Sequence, residues 1–178
     1  AEVKTAEKYT QAAQRAQSIW DRAEDCVKHE YLENKQVLSY GLKKDTHDNL
    51  VIPMKDGQGT IVGLQFIAAD GSKRFLTGSK KSGSFFLLGR EIFNSSDTLN
   101  YAEGYATAAS IYADRSQPVV VAFDAFNLSP VAEVMYKYFP NHKHVFVADN
   151  DDSQTGEREA KKAAAYIKKV GGYAEIQM

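Results

Sequence analysis

The sequence predicts an α/β protein in which a small α+β subdomain with antiparallel hairpins precedes a parallel sheet covered by helices on both faces. Two observations carry this. Up to about residue 90, short β-rich runs are separated by glycine-rich turns. Beyond it, apolar runs suited to strands alternate with amphipathic stretches suited to helices, the pattern of strand–helix–strand units. A third agrees with them: VVVAF and VFVA are apolar without interruption, as strands buried on both faces are.

Taken in order, Tyr9, Ala13, Ala16, Ile19, Trp20, Ala23, Cys26 and Val27 recur at three and four, which predicts one amphipathic helix over 5–29. LVIPM, TIVGLQFIA, KRFL and SFFLL follow as short strands, separated by DGQG, ADGS and GSKKSG. Pro53 places LVIPM at a sheet edge or a strand end, because proline cannot donate to the ladder. After Arg90, TLNYAE, PVVVAF, HVFVAD and YAEIQ read as strands, and GYATAASIYADR, SPVAEVMYKYF and GEREAKKAAAYIKKV as helices. Gly171-Gly172 stops the last helix. The expected segments are an N-terminal helix over 1–33, a basic antiparallel subdomain over 34–92 and the parallel-sheet domain over 93–178.

Composition narrows the function classes. With 178 residues, 43% of them hydrophobic, the chain can bury a real core. No apolar run approaches the ~20 residues of a membrane span, and the N-terminus lacks the basic start and apolar core of a signal peptide. The expectation is a cytoplasmic protein without membrane contact. Cys26 is the single cysteine, so an internal disulfide and a cysteine-based zinc cluster are excluded; it reads as a core thiol on the first helix. The four histidines lack metal-ligand spacing and read as surface residues. GSKKSGS, residues 78–84, lacks the Lys-Ser/Thr of a phosphate loop, and no GxSxG elbow occurs.

Net charge is only -1, but it is unevenly distributed. Residues 34–90 hold nine Lys/Arg (Lys35, Lys43, Lys44, Lys55, Lys73, Arg74, Lys80, Lys81, Arg90) against four Asp, whereas residues 91–178 hold eight basic against twelve acidic side chains. A phosphate-attracting segment therefore precedes one suited to cations; the plainer reading is two solvated faces.

The stretch VFVADNDDSQTG runs a buried strand into three carboxylates. In an open parallel sheet ligands bind outside the carboxyl ends of the strands, and Glu103, Asp124 and Asp149 fall at three such ends. Asp151, two residues beyond Asp149, points to the same side of an extended chain. Gathered carboxylates repel unless a cation relieves them, and Mg²⁺ takes a few carboxylates while retaining water or phosphate oxygens. The alternative is that residues 149–153 form an Asx turn capping the next helix, the favoured role for Asp152 and Ser153. Asp124 and Asp152 are candidates either for supporting the ligands from behind or for helix capping.

YAEGYATAASIY, AFDAFNLSPVAEV and VFVADNDDSQTGEREAKKAA, in this order, resemble the Toprim domain shared by primases, topoisomerases and certain nucleases. The closer resemblance is to primases of conjugative plasmids and phages, and HEYLENKQV, LVIPMKDGQGTIVGLQFI, DGSKRFL and GSKKSGSFFLLG resemble the basic subdomain preceding Toprim there. The resemblance implies a Toprim-like sheet and a DNA primase: template-directed joining of ribonucleoside triphosphates on single-stranded DNA. It implies that Glu103, Asp149 and Asp151 hold Mg²⁺ or Mn²⁺. It further implies that Lys35, Lys55, Lys73, Arg74, Lys80 and Lys81 hold template backbone and nucleotide phosphates. Asn127 then orients a nucleotide or caps a helix. Such primases usually carry a zinc-binding module and often a helicase. One cysteine and no phosphate loop provide neither here, so the chain reads as a catalytic core, with those modules elsewhere in a full-length protein. Phe126 is bulky where related chains often have a small residue. A Toprim nuclease using the same carboxylates, and a non-catalytic nucleic-acid-binding module, are the alternatives.

Overall fold

The structure, a computed structural model, describes residues 1–150 and 154–178. The chain folds into two compact units, Ala1–Ser84 and Phe85–Met178.

In the first unit, α1 (Glu2–Arg22) precedes β1 (Glu24–Asp25), α2 (Glu30–Lys35), β2 (Lys43–Lys44), β3 (Leu50–Lys55), β4 (Ile61–Ile67) and β5 (Lys73–Phe75). The strands form one antiparallel sheet in sequence order. α1 packs on β4 through its buried alanines, Ala12 and Ala16, with Ala16 joining Val51, Ile61, Leu64 and Phe66 in a small core. The turns are built by aspartates. Asp56 Oδ1 accepts the amides of Gln58 and Thr60 while Gly59 takes φ +83°, a conformation free of cost only for glycine; Asp45 and Asp70 bind their own turns in the same way. Pro53 sits opposite Leu64 of β4, beyond the two residues that β2 pairs, so its other side is an edge, as its missing N–H requires.

Three expectations are corrected here. α1 ends at Arg22, not His29, because Glu24 and Asp25 turn out to pair with Lys44 and Lys43. Cys26 is consequently buried in a connection rather than on a helix, and Val27 is exposed. Burial, partly offset by Lys44, raises the Cys26 pKa, so the thiol stays protonated. His29 is buried as well: Nδ1 accepts the Tyr31 amide to cap α2, and Nε2 contacts Asp48 O at 2.7 Å.

The second unit runs β6 (Phe86–Leu88), β7 (Thr98–Ala102), α3 (Tyr105–Arg115), β8 (Val119–Val121), α4 (Leu128–Tyr138), β9 (Lys143–Val147), α5 (Thr155–Lys169) and β10 (Tyr173–Gln177). Strand order is β10-β9-β7-β8-β6. The first four strands are mutually parallel, and β6 pairs antiparallel with β8. SFFLL thus belongs to this sheet and not to the hairpin sheet, since Phe86 to Leu88 find their ladder on Val121 to Val119. Alternation within the strands feeds two faces. Leu99, Tyr101, Val120 and Phe146 pack with α4 and α5 in the main core, while α3 packs on β7 and β8 with Tyr105, Ala108 and Ala109 buried.

His144, expected at the surface, lies in this core with no exposure. The Tyr101 hydroxyl meets its Nδ1 at 2.7 Å and its Nε2 meets Phe139 O at 3.0 Å, so the neutral ring with hydrogen on Nε2 satisfies both. Burial pushes the Tyr101 phenol well above its usual pKa and pulls His144 below its ordinary 6.5. A depressed histidine pKa stabilises the fold above the unfolded value and loses that contribution as pH falls through the folded one. Thermal denaturation should therefore show stability falling below about pH 6.5, by at most about 1.4 kcal/mol per pH unit for this one proton. His144→Asn should flatten that acid limb; an unchanged slope would remove His144 as its source.

Candidate active site

Within the second unit, the carboxyl ends of β7, β8 and β9 lie side by side, so the residues that leave them are neighbours. Tyr101 of β7 is level with Phe146 of β9, which puts Glu103 beside Ala148 and one residue short of Asp149. Gly104, at the N-cap of α3, turns the chain immediately after Glu103.

Two helices fasten these carboxylates. Gly156, in the first turn of α5, has no side chain; a Cβ there would lie 2.5 Å from Glu103 Oε1 and 3.5 Å from the Asp149 carbonyl oxygen. Glu103 Oε1 is itself buried. Glu103 thus occupies the space that a larger residue at 156 would fill. From the other side, the Thr107 hydroxyl, one turn into α3, donates to Asp149 Oδ1 at 3.2 Å. Glu103 is held against α5 and Asp149 is held by α3. Both helices present their amide ends here, where partial positive charge favours carboxylates. Sequence reasoning missed Thr107 and Gly156; the available signals were a hydroxyl one turn after Glu103 and a glycine inside a helix's first turn.

The predicted residues are distributed as follows. Glu103 and Asp149 follow neighbouring strands at the same end of the sheet. Asp151 and Asp152 lie outside the described residues, and among the described residues no group of three His, Cys, Asp or Glu is gathered for a metal ion. The donor set fits a hard cation nonetheless. Both groups supply carboxylate oxygens, and Mg²⁺ is commonly held by one or two carboxylates with water completing its shell. Asp124 caps the 3-10 turn Ala125–Asn127, its Oδ1 accepting the Asn127 amide at 3.0 Å. Asn127 is buried and donates through Nδ2 to Ala122 O at 2.8 Å, so it braces the end of β8.

The predicted cations all lie in the first unit, and nearly all rest on aromatic rings. Lys35 and Lys73 flank the Tyr31 ring with Nζ 6.0 and 5.9 Å from its centre, lining one cleft with Asn34 and Gly71. Lys81 lies 4.7 Å from Phe75, the Arg74 guanidinium 4.2 Å from Phe66 and Lys80 5.9 Å from Tyr9 of α1. Such contacts are worth about 0.5–1 kcal/mol at exposed sites and hold long side chains in place. Strand periodicity divides the set. Lys73 and Phe75 share one face of β5, whereas Arg74 stands opposite Phe66 on the face that α1 covers. Lys73 and Arg74, adjacent in DGSKRFL, therefore point to opposite sides. Lys55 ends β3 beside a β-bulge.

Residues 98–177 match the Toprim domain family. DNA primase TraC of Escherichia coli is 36% identical over 155 residues, 81% of this chain. The chain carries a Toprim domain and is homologous to DNA primase TraC. A second TraC protein of the same species is 36% identical over 129 residues, 69% of the chain. The chain spans only 14% and 9% of the lengths of these two relatives. Among solved structures, the primase fragment of the bacteriophage T7 primase-helicase protein superposes with a TM-score of 0.67 at 20% identity, covering 88% of this chain and 67% of that one. The zinc-binding and RNA polymerase domains of Aquifex aeolicus primase superpose with a TM-score of 0.54 at 23% identity, covering 82% and 38%. These likenesses establish the shared fold: a Toprim sheet together with the antiparallel unit before it. Among the described residues no helix is long and apolar enough to cross a membrane.

Proposed function

We propose that the chain is the catalytic core of a DNA primase, joining ribonucleoside triphosphates on a single-stranded DNA template with Mg²⁺ or Mn²⁺. One observation supports the reading: Glu103 and Asp149 follow adjacent parallel strands of a Toprim domain, with Glu103 Oε1 against Gly156 and Asp149 Oδ1 accepting from Thr107. Glu103, Asp149 and Asp151 hold the metal, which when bound lowers the pKa of an attacking hydroxyl and neutralises charge on the departing phosphates. The chain's own task is positioning. Glu103 is kept from swinging by α5, and Thr107 fixes the direction in which Asp149 presents its oxygens. Asp124 and Asn127 support this end of the sheet by bracing the turn after β8; Asp152 is assigned the same supporting part.

Lys35, Lys55, Lys73, Arg74, Lys80 and Lys81 supply the phosphate contacts, making binding sequence-tolerant and salt-sensitive. By the alternation of β5, five of them fall on two surfaces of the first unit, Lys35, Lys73 and Lys81 on one and Arg74 with Lys80 on the other, while Lys55 ends β3. The relatives' names, a primase-helicase protein and a primase with zinc-binding and RNA polymerase domains among them, support a cytoplasmic primase that works with a zinc-binding module and a helicase in a longer protein.

The test is incubation of the chain with single-stranded DNA, ribonucleoside triphosphates and Mg²⁺ or Mn²⁺. Short RNA products that require template, nucleotides and metal are expected. DNA cleavage without nucleotides, and no RNA, would replace the primase reading by the nuclease one.

A further inference from the structure

Of the nine phenylalanines in the sequence, Phe126 alone is exposed, at 65%. Its neighbours Ala125, Asn127 and Leu128 are buried, so the ring is held out on a fixed support. Asp124 caps that support, Asn127 ties it to Ala122 O, and α5 packs against it.

The backbone that presents it is strained. Phe123, where the chain leaves β8, takes φ +75°. A bulky non-glycine residue in the left-handed region costs of order 1–3 kcal/mol and persists only where its surroundings enforce it, most often at functional sites. The strained turn leads the chain from the carboxyl end of β8 into the 3-10 turn that carries Phe126. Of the other large exposed apolar side chains of this unit, Tyr138, Val170 and Tyr173 lie at the opposite end, beside helix C-termini and the start of β10, and Met178 follows β10, three strands away from β8. Phe126 is thus set where ligands enter a parallel sheet.

Its neighbours define what it meets. β8 adjoins β7, and β7 adjoins β9, so the turn carrying Phe126 is one strand spacing from Glu103 and two, roughly 10 Å, from Asp149. A ligand that satisfies both features needs a flat apolar face at one end and anionic oxygens at the other, to share a cation with the carboxylates. A nucleotide has this form.

We propose that Phe126 is the stacking platform for a nucleobase beside the carboxylate pair, of an incoming ribonucleotide or of the template. This rests on the primase reading and adds the residue that receives the base. Stacking on one aromatic side chain is sequence-tolerant, because every base has a π-face.

The test measures binding of fluorescent oligo-dT, and of a ribonucleoside triphosphate with Mn²⁺, to the intact chain and to Phe126→Ala, Phe126→Tyr and Asp149→Asn. Phe126→Ala should weaken one ligand about five- to a hundredfold, while Phe126→Tyr stays within about twofold of the parent. Loss on the triphosphate arm identifies the incoming base, and loss on the oligonucleotide arm the template base. Unchanged binding of both by Phe126→Ala overturns the proposal, as does a change only in self-association on sedimentation. The two readings fail separately. Asp149→Asn losing Mn²⁺ while Phe126→Ala changes nothing rejects the platform alone. Unaltered Mn²⁺ affinity in Asp149→Asn with weakened oligonucleotide binding by Phe126→Ala rejects the metal assignment alone.

Discussion

Glu103→Gln and Asp149→Asn are each expected to reduce RNA synthesis on single-stranded DNA by at least about 10²-fold, the scale of removing one group that stabilises transition-state charge. Both replacements keep side-chain shape and hydrogen-bonding capacity while removing charge, so the Thr107 contact to position 149 and the seat of residue 103 against Gly156 survive. The fold does not suffer. Carboxylates at neighbouring strand ends repel each other, and neutralising one relieves that repulsion. Circular dichroism melts should accordingly show an unchanged or slightly higher Tm beside the lost synthesis. Retained synthesis in both variants would refute the assignment of these residues.

Gly156→Ala sets two effects of opposite sign against each other. Within a helix, alanine is normally favoured over glycine by roughly 0.5–1 kcal/mol. Here the new methyl would lie 2.5 Å from Glu103 Oε1, closer than a Cβ is tolerated. What must give way is the tip of a flexible side chain rather than backbone, so moving it costs little stability. The carboxylate is displaced all the same, and a displacement of about 1 Å at a reacting centre is worth about 10²-fold in rate. The expected variant is as stable as the parent, or more so, and synthesises RNA about a hundredfold more slowly. Parental activity in Gly156→Ala would show that the position of Glu103 is not critical.

How much of this was legible depended on how local the cause was. From β7 to β10 the strands and helices follow from apolar runs and helical periodicity, which are properties of short windows. Glu103 and Asp149 could be expected at neighbouring strand ends because strand ends are local and parallel topology sets β7 beside β9. The misreadings have partners far away in sequence. The helical phase of Cys26 and Val27 continues past Arg22, but pairing of Glu24 and Asp25 with Lys44 and Lys43 overrides it. SFFLL reads as a strand, yet nothing within it says that its ladder lies on Val119–Val121. His144 gave no sign of burial because its partners, the Tyr101 hydroxyl and Phe139 carbonyl, become neighbours only in the fold. The opposite faces of Lys73 and Arg74, by contrast, follow from strand periodicity alone.

Crystals of the chain soaked in Mn²⁺ and measured near the manganese edge test the shared metal site directly. The expected result is an anomalous peak bridging the Glu103 and Asp149 carboxylates at about 2 Å from their oxygens. Peaks that touch neither carboxylate, or only one of them, would contradict it.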